Sequence, residues 1–295
     1  MIQGEKGLGQ LILNATLNGI LLGGVLALLV FGLNLIFGVV KIIHLAYGQF
    51  VMVGMYIIFL LVTTWKMNIF IASLISCLLL GMLGIILQLT VINPLLKSPR
   101  LNQLLALAGL IIIFENMAMV LWGADYRGIK LFLPVIHFGS IFVRTSYLVA
   151  FIGAIITLFG LNLFLNKTYV GIAIRATAQD LDSTQLMGIN PKWVYLITQA
   201  MGGILSGIVA SFFMPIYTVH PHFGSAFTLM AFIIVVLGGM GNFLGGFISA
   251  FIIGVVTSVS AVLTSTEIAE SIALIIFILI MLVRPQGLLG IRESR

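Results

Sequence analysis

The stretch GILLGGVLALLVFGLNLIFG, residues 19–38, decides the fold class, because it runs for twenty residues without a single charge. About 20 apolar residues are enough for an α-helix to cross the hydrocarbon core of a bilayer. The stretch belongs to a longer apolar run over residues 11–38, which is longer than the core of a signal peptide. We therefore predict a first membrane-spanning helix that is retained in the mature chain.

The rest of the chain has the same apolar character. Of its 295 residues, 61% are hydrophobic and 7% are charged, and the mean hydropathy is +1.25. A soluble domain carries about a quarter charged residues, so 14 basic and 8 acidic side chains cannot cover a water-exposed surface of this size. The composition predicts an all-α, polytopic transmembrane helix bundle that forms a single membrane domain over residues 1–295.

Apolar runs alternate with polar or proline-containing breaks along the whole chain. Proline lacks an N–H group and restricts the residue before it, so the breaks at Pro94, Pro191 and Pro285 mark helix ends. The first run could instead hold one helix and a partly re-entrant segment, which would leave eight spans. Otherwise the pattern predicts nine, at residues 11–38, 49–65, 68–91, 102–122, 146–166, 192–213, 226–244, 247–264 and 269–284.

The basic residues are shared unequally between the two sides that these alternating spans define. Loops rich in Lys and Arg tend to stay in the cytoplasm. We therefore expect a multi-pass protein of the plasma or inner membrane with its C-terminus in the cytoplasm. The predicted cytoplasmic side carries Lys41, Lys97, Arg100, Lys167, Arg175, Lys192, Arg284, Arg292 and Arg295, and the other side carries Lys6, Lys66, Arg127, Lys130 and Arg144.

The longest polar stretch on the predicted cytoplasmic side is residues 167–191. Its residues Ile174, Ala178 and Leu181 follow each other at spacings of four and three, which is typical of short amphipathic helices. Gly188 then supplies a stop signal. The pattern is compatible with two arrangements, a helix that docks into a groove on a partner protein and a helix that lies on lipid headgroups.

Several polar side chains fall at membrane depth and are candidate pore-lining residues. An ionisable group within a span is costly, so Glu115 is a functional-site hypothesis, although it could also bond a neighbouring helix in its neutral form. The amide and imidazole groups near residues 34–49 lie beside glycines, which suggests irregular backbone that lines a cavity. Hydrogen bonding between helices is the alternative. The candidates are Asn34, His44, Gln49, Glu115 and Asn116.

Glycine pairs four residues apart predict close helix packing within this chain, because small residues let helix backbones approach each other in lipid. Such pairs are Gly19 with Gly23 and Gly203 with Gly207, and residues 246, 250 and 254 extend the pattern as a stripe of small residues.

No constellation in the sequence indicates catalysis or metal binding. The segment His220-Pro221-His222 offers two imidazoles, whereas a metal site usually needs three or four ligands. The glycine-rich residues 237–246 lack the Lys-Ser/Thr ending of a nucleotide-binding loop, so we predict a tight turn between two packed helices there. We expect a chain that is not an enzyme, has no catalytic or metal-ligating residues and binds no cofactor.

Five short motifs in the same order resemble those of the permease family of branched-chain amino-acid ABC importers. The opening motif is carried by residues 32–39 and 46–50, and residues 93–95 resemble the turn between the third and fourth helices. The other three are residues 175–180 with 186–190, residues 237–242, and residues 283–288.

The resemblance implies an assembly. Two such permeases, usually related chains, form the pore, two cytoplasmic ATPases carry ATP and Mg, and an external solute-binding protein delivers the solute. It also favours docking over headgroup binding for the 167–191 segment, and this chain would need no nucleotide site of its own. The residues that would couple to the ATPases are Arg175, Ala176, Ala178, Asp180, Leu186, Gly188 and Ile189.

The same resemblance favours branched-chain or other hydrophobic amino acids as the solute. One departure leaves the solute open, because residues 44–48 read His-Leu-Ala-Tyr-Gly where many relatives have Asn-Phe-Ala-His-Gly. Members of this family also move urea or short amides. A further alternative is a secondary transporter driven by protons, with Glu115 as the titrating group.

Overall fold

The computed structural model describes residues 2–129, 134–138 and 141–289, and almost all of their regular structure is helical. A π-helical turn, Gln88–Ile92, extends the third helix, and the strands β1 (Val135–Phe138) and β2 (Ile141–Arg144) form an antiparallel hairpin. The helices are α1 (Ile2–Val40), α2 (Tyr47–Thr63), α3 (Ile69–Leu87), α4 (Asn93–Leu95), α5 (Arg100–Trp122), α6 (Thr145–Lys167), α7 (Tyr169–Gln179), α8 (Leu181–Leu186), α9 (Pro191–Phe213), α10 (Phe223–Gly238), α11 (Phe243–Leu263) and α12 (Thr266–Val283).

The helices confirm the predicted all-α, polytopic class. Each of the nine predicted spans coincides with one helix, and α1 is continuous to Val40, so the first run does not divide into a helix and a re-entrant segment. Three of the nine helices, α2, α10 and the Ser271–Val283 part of α12, are apolar but shorter. Six are long and apolar enough to cross a membrane: Gly9–Val40, Ile69–Leu95, Arg100–Trp122, Thr145–Lys167, Pro191–Phe213 and Phe243–Leu263.

The predicted end of the seventh span is wrong. The seventh span was expected to reach residue 244, but α10 ends at Gly238. The backbone then turns through Gly239 and Gly241, whose φ angles of 96° and 84° are incompatible with a continuing right-handed helix. The glycine-rich segment therefore forms the predicted tight turn, and α11 begins after it.

Helix α1 lies at the centre of the bundle, and 83% of its most apolar 18-residue stretch is buried. It runs antiparallel to α11, because Asn34 near its end donates to Asn242 O at 3.2 Å while Ala15 O accepts from Ser258 Oγ at 2.7 Å. The two backbones are in direct contact. A Cβ built at Gly254 would lie 2.6 Å from Gly19 O, which confirms that these glycines pack within the chain.

Helices α3 and α9 pack in the same way. A Cβ at Gly203 would lie 2.1 Å from Leu80 O, and one at Gly207 would lie 2.6 Å from Cys77 Cα. Close approach of this kind gains van der Waals contact over a long seam, which is the main source of helix association in lipid. Both glycine pairs of the sequence therefore serve contacts inside this chain.

The alternating helices give the bundle two ends. At one, which we call the Lys41 end, lie Lys41, the 239–242 turn and the segment after α12, where Leu288 N donates to Leu237 O at 2.7 Å. At the other, the Arg127 end, the loop after α5 meets the loop after α9 through a backbone bridge between Arg127 and Val219.

Irregular backbone at residues 41–46 turns back into the bundle from the Lys41 end. Lys41 has a φ of 58°, which reverses the chain after α1, and His44 is buried. Gly48 N, in the first turn of α2, donates to Thr228 Oγ1 at 3.0 Å. Thr228 lies ten residues before the end of α10, or about 15 Å at 1.5 Å per residue. Helix α2 therefore begins well inside the bundle, which explains why it is short.

Replacing Gly254 by Val should destabilise the protein. The new side chain would overlap the α1 backbone at Gly19 and Gly23, and overpacking of this kind typically costs about 1–3 kcal/mol. Thermal unfolding in detergent, followed by size-exclusion chromatography, measures the effect. Gly160→Val is the matched control, since no atom lies within 4 Å of a Cβ at Gly160. Equal melting temperatures for the two variants would contradict this packing.

Candidate coupling surface and polar cluster

Helix α7 is attached to the bundle along one face. Its residues Ala173, Ile174 and Thr177 are buried, as the spacing of apolar residues predicts for an amphipathic helix. Arg175 lies on the exposed side but bends back, and its Nε donates to Leu165 O of α6 at 2.9 Å. The helix is therefore attached to the membrane helices at the Lys41 end.

Helix α8 follows after a sharp turn at Asp180. The carboxylate of Asp180 caps α8 by accepting hydrogen bonds from Asp182 N at 3.0 Å and Ser183 N at 3.2 Å. The Ser183 hydroxyl also donates to this carboxylate, and together with the nearby positive charge of Lys41 these donors lower the pKa of Asp180. The cap thus remains charged at neutral pH.

The end of α8 presents two large apolar side chains outside the bundle. Leu186 is 89% exposed and Met187 is 82% exposed. Gly188 ends the helix with a φ of 82°, and Gly188 N and Ile189 N donate back to Gln185 O and Thr184 O. Asn190 then caps α9 by accepting from Lys192 N at 3.0 Å. Two rigid helix ends thus fix the position of this apolar tip.

All of the residues predicted to couple to an ATPase reach the surface of this segment. Arg175, Asp180, Leu186 and Gly188 are exposed, and Ala176, Ala178 and Ile189 are partly buried. Their role in coupling stays a prediction. Met187 was not among them, although its place beside Leu186 in an otherwise polar stretch was a signal in the sequence.

Two of the predicted pore-lining residues meet in a polar cluster. Gln49 Nε2 donates to Glu115 Oε1 at 3.2 Å, and the same nitrogen lies 3.0 Å from the Ser225 hydroxyl. That hydroxyl in turn donates to Glu115 Oε1. The cluster joins α2, α5 and α10 at membrane depth, where an unpaired carboxylate would be costly.

His222 completes the cluster from the loop before α10. Its Nδ1 lies 2.8 Å from Glu115 Oε2, and among the side chains that the structure describes this is the one close contact between a basic and an acidic group. The His222 side chain is 64% exposed, whereas that of Glu115 is 16% exposed. The sequence pointed to His222 only as half of a weak metal motif. Within the described residues, no group of three or more metal-ligating side chains exists.

The other three predicted pore-lining residues lie elsewhere. Asn34 is buried between helices, where it accepts from Gly241 N at 3.1 Å and donates to Asn242 O. His44 is buried, with its ring 5.5 Å from that of Phe50. Asn116 is exposed and donates to Ile112 O of its own helix at 2.8 Å. The structure thus brings Gln49 and Glu115 together and leaves these three apart from them.

A separate cavity of about 950 Å³ lies at the Arg127 end between α1, α10, α11 and α12. Its walls are mainly apolar and include Leu26, Phe227 and Met230, with Arg144 among its polar residues. Of the described residues that line it, none is a predicted pore-lining residue.

The sequence as a whole matches a protein-family model over residues 15–283, and the family is described as the permease component of the branched-chain amino acid transport system. Since the match spans nearly the whole chain, the chain belongs to this family, and it is a multi-pass membrane protein. Membership confirms the family that the five motifs indicated. A transport permease component is itself not an enzyme.

Individual relatives come from bacteria and an archaeon. The high-affinity branched-chain amino acid transport system permease protein BraD of Pseudomonas aeruginosa is 27% identical over 94% of this chain and 95% of its own length. The corresponding LivH of Salmonella typhimurium is 27% identical, over 92% and 94%. A probable branched-chain amino acid transport permease protein LivH of Methanocaldococcus jannaschii is 25% identical, over 92% and 90%. No solved structure matches the chain.

Replacing Asn34 by Ala should lower the thermal stability of the bundle. The variant loses both hydrogen bonds to the 239–242 turn and leaves Gly241 N unpaired, at a cost of about 1–3 kcal/mol. Asn116→Ala is the control, because that amide bonds only its own helix at an exposed position. If both variants melted at the wild-type temperature, the bonds of Asn34 would not stabilise the fold.

Proposed function

We propose that this chain is the pore-forming permease subunit of an ATP-driven importer of branched-chain or other hydrophobic amino acids. Its family and the names of its relatives support the solute class. The observation that carries the proposal is the α7–α8 unit, which is fixed to the membrane helices and presents Leu186 and Met187 beyond them. Exposed apolar side chains on a rigid helix end suit a groove on a partner protein.

The proposed assembly contains a second related permease, two cytoplasmic ATPases that hold ATP and Mg, and an external solute-binding protein. This chain would bind no cofactor itself. We place the Lys41 end, the α7–α8 unit and the C-terminus in the cytoplasm, because most Lys and Arg residues belong to that side. In this arrangement residues 167–191 form the coupling segment of one membrane domain.

A route for coupling follows from the position of Lys41. Its positive charge is near enough to help lower the pKa of Asp180, the cap of α8. The irregular segment 41–46 leads from there into the bundle, and Gln49 three residues later bonds Glu115. A displacement of α8 by the ATPases would thus reach the polar cluster through a short piece of chain. ATP and the binding protein supply the difference in affinity that drives the switch between inward-open and outward-open states.

The double variant Leu186→Asp, Met187→Asp should bind the ATPases at least about tenfold more weakly, because burying each large apolar side chain is worth about 1.5–3 kcal/mol. Co-purification of ATPase with the permease from detergent measures the loss. Leu101→Asp is the matched control, since Leu101 is an exposed leucine at the same end of the bundle but outside α7 and α8. Undiminished ATPase binding by the double variant would remove the α8 tip from the interface.

Uptake by the complete complex, reconstituted in proteoliposomes with its binding protein, tests the function itself. We expect leucine uptake that requires ATP on the side of the vesicle membrane that carries the ATPases. This uptake should persist when an uncoupler abolishes the proton gradient. Uptake that survives without ATP and collapses with the uncoupler would instead identify a proton-coupled transporter. Uptake of urea or acetamide without leucine would keep the importer and change the solute.

A further inference from the structure

We propose that Glu115, Gln49 and Ser225 form a recognition site for the α-ammonium group of the transported amino acid, with the His222 side chain as the group that the solute displaces. The inference rests on the proposed function for the identity of the solute. It assigns to this cluster a binding role that the family match does not specify.

The cluster offers oxygen acceptors to a group that carries only donors. A primary ammonium has three N–H donors and no acceptor. The Glu115 carboxylate contributes two oxygens, and the Ser225 hydroxyl is a third acceptor. Gln49 uses its Nε2 for both Glu115 and Ser225, which fixes its amide orientation. Its Oε1 is buried against Gly224 and has no hydrogen-bond partner among the described residues, so the acceptors that the cluster offers to a solute are the Glu115 carboxylate and the Ser225 hydroxyl.

His222 has the properties of an exchangeable occupant. It lies in the loop before α10, and 64% of its side chain is exposed, so the ring can leave without disturbing a helix. It contacts Glu115 Oε2, whereas Gln49 and Ser225 hold Oε1. Departure of the ring therefore frees one carboxylate oxygen while the other stays fixed. Exchange of the imidazole for an ammonium keeps Glu115 Oε2 in contact with a polar partner throughout, which avoids the cost of an unpaired carboxylate at membrane depth.

The position of the cluster gives a solute access to it. Glu115 lies seven residues before the end of α5, or about 10 Å from the Arg127 end at 1.5 Å per residue. Only 17% of the most apolar 18-residue stretch of α5 is buried, which is a smaller share than in any other long apolar helix described. The cluster thus borders a face that the helices of this chain leave open, where a pathway shared with a second permease would run.

Protection of a cysteine at position 222 tests the proposal. In the complex, this chain carries Cys77→Ala, which removes its single cysteine, together with His222→Cys. The rate at which neutral N-ethylmaleimide labels this chain is measured in nanodiscs. The probes are L-leucine, 3-methylbutylamine, which keeps only the ammonium, and 4-methylpentanoate, which keeps only the carboxylate. We expect the first two to slow labelling and the third to leave it unchanged.

Glu115→Gln in the same background should weaken this protection roughly ten- to hundredfold, since it removes a charge-assisted hydrogen bond, and Glu115→Asp should retain part of it. Asp125→Asn, which removes an exposed carboxylate after the end of α5, is the control and should protect as the parent does. Gel filtration tests whether each variant is folded. If Glu115→Gln does not fold, Ser225→Ala replaces it in the experiment and is expected to reduce protection.

Three outcomes would overturn the ammonium site: equal protection by all three probes, protection by none of them, or protection that survives Glu115→Gln. The cluster would then be only a structural contact that holds α5 to α2 and α10. Wild-type uptake is measured alongside. ATP-dependent leucine uptake without ammonium protection defeats this inference alone. Ammonium protection without ATP-dependent uptake defeats the proposed function while the site stands.

Discussion

Contact between the backbones of α1 and α11 is the constraint on which the rest of the bundle depends. Gly19 and Gly23 face Gly254 so closely that any Cβ at these positions would overlap main-chain atoms. In lipid, apolar side chains gain nothing by leaving their surroundings, so van der Waals contact along such seams must hold helices together. With α1 fixed in this way at the centre, α6, α9 and α10 pack around it.

The seam also sets the geometry at the Lys41 end. Because α1 and α11 are antiparallel, the end of α1 meets the turn before α11. Asn34 accepts a hydrogen bond from Gly241 N and donates one to Asn242 O in that turn. The chain leaves α1 at Lys41 and returns into the bundle through irregular backbone. Such backbone is tolerated at membrane depth only where protein surrounds it, and the buried His44 shows that it is surrounded here. Gln49 thereby reaches Glu115.

Two surfaces with opposite chemistry result from this arrangement. At the Lys41 end, α7 and α8 present apolar side chains where the surroundings are polar. At membrane depth, the cluster around Glu115 places polar groups where the surroundings are apolar. The positive charge of Lys41 acts on Asp180 of the first surface, and the segment that follows Lys41 leads to Gln49 in the second. The short link between them gives the proposed coupling a physical path.

The sequence by itself determined the spans, the polar segment at 167–191 and the family motifs. Hydropathy, helix periodicity and proline or glycine stop signals act over a few residues, so the nine spans and the helical form of α7 and α8 could be predicted from neighbouring residues alone. Helix α4 was not predicted, because it lies at Pro94, where a helix end was expected. The boundary at Gly238 was missed because apolar residues continue past it, while the φ angles of Gly239 and Gly241 end the helix.

Only the tertiary structure decided which polar groups meet. Glu115 lies 66 residues from Gln49, 107 from His222 and 110 from Ser225 along the chain, and their contact depends on how α2, α5 and α10 pack. The same packing separated Asn34 and Asn116 from the cluster, although in the sequence they are equally polar. A local sequence pattern shows that a polar or ionisable side chain lies within a span. Which side chain it contacts depends on the packing of helices that are distant in sequence, and no local pattern predicts that packing.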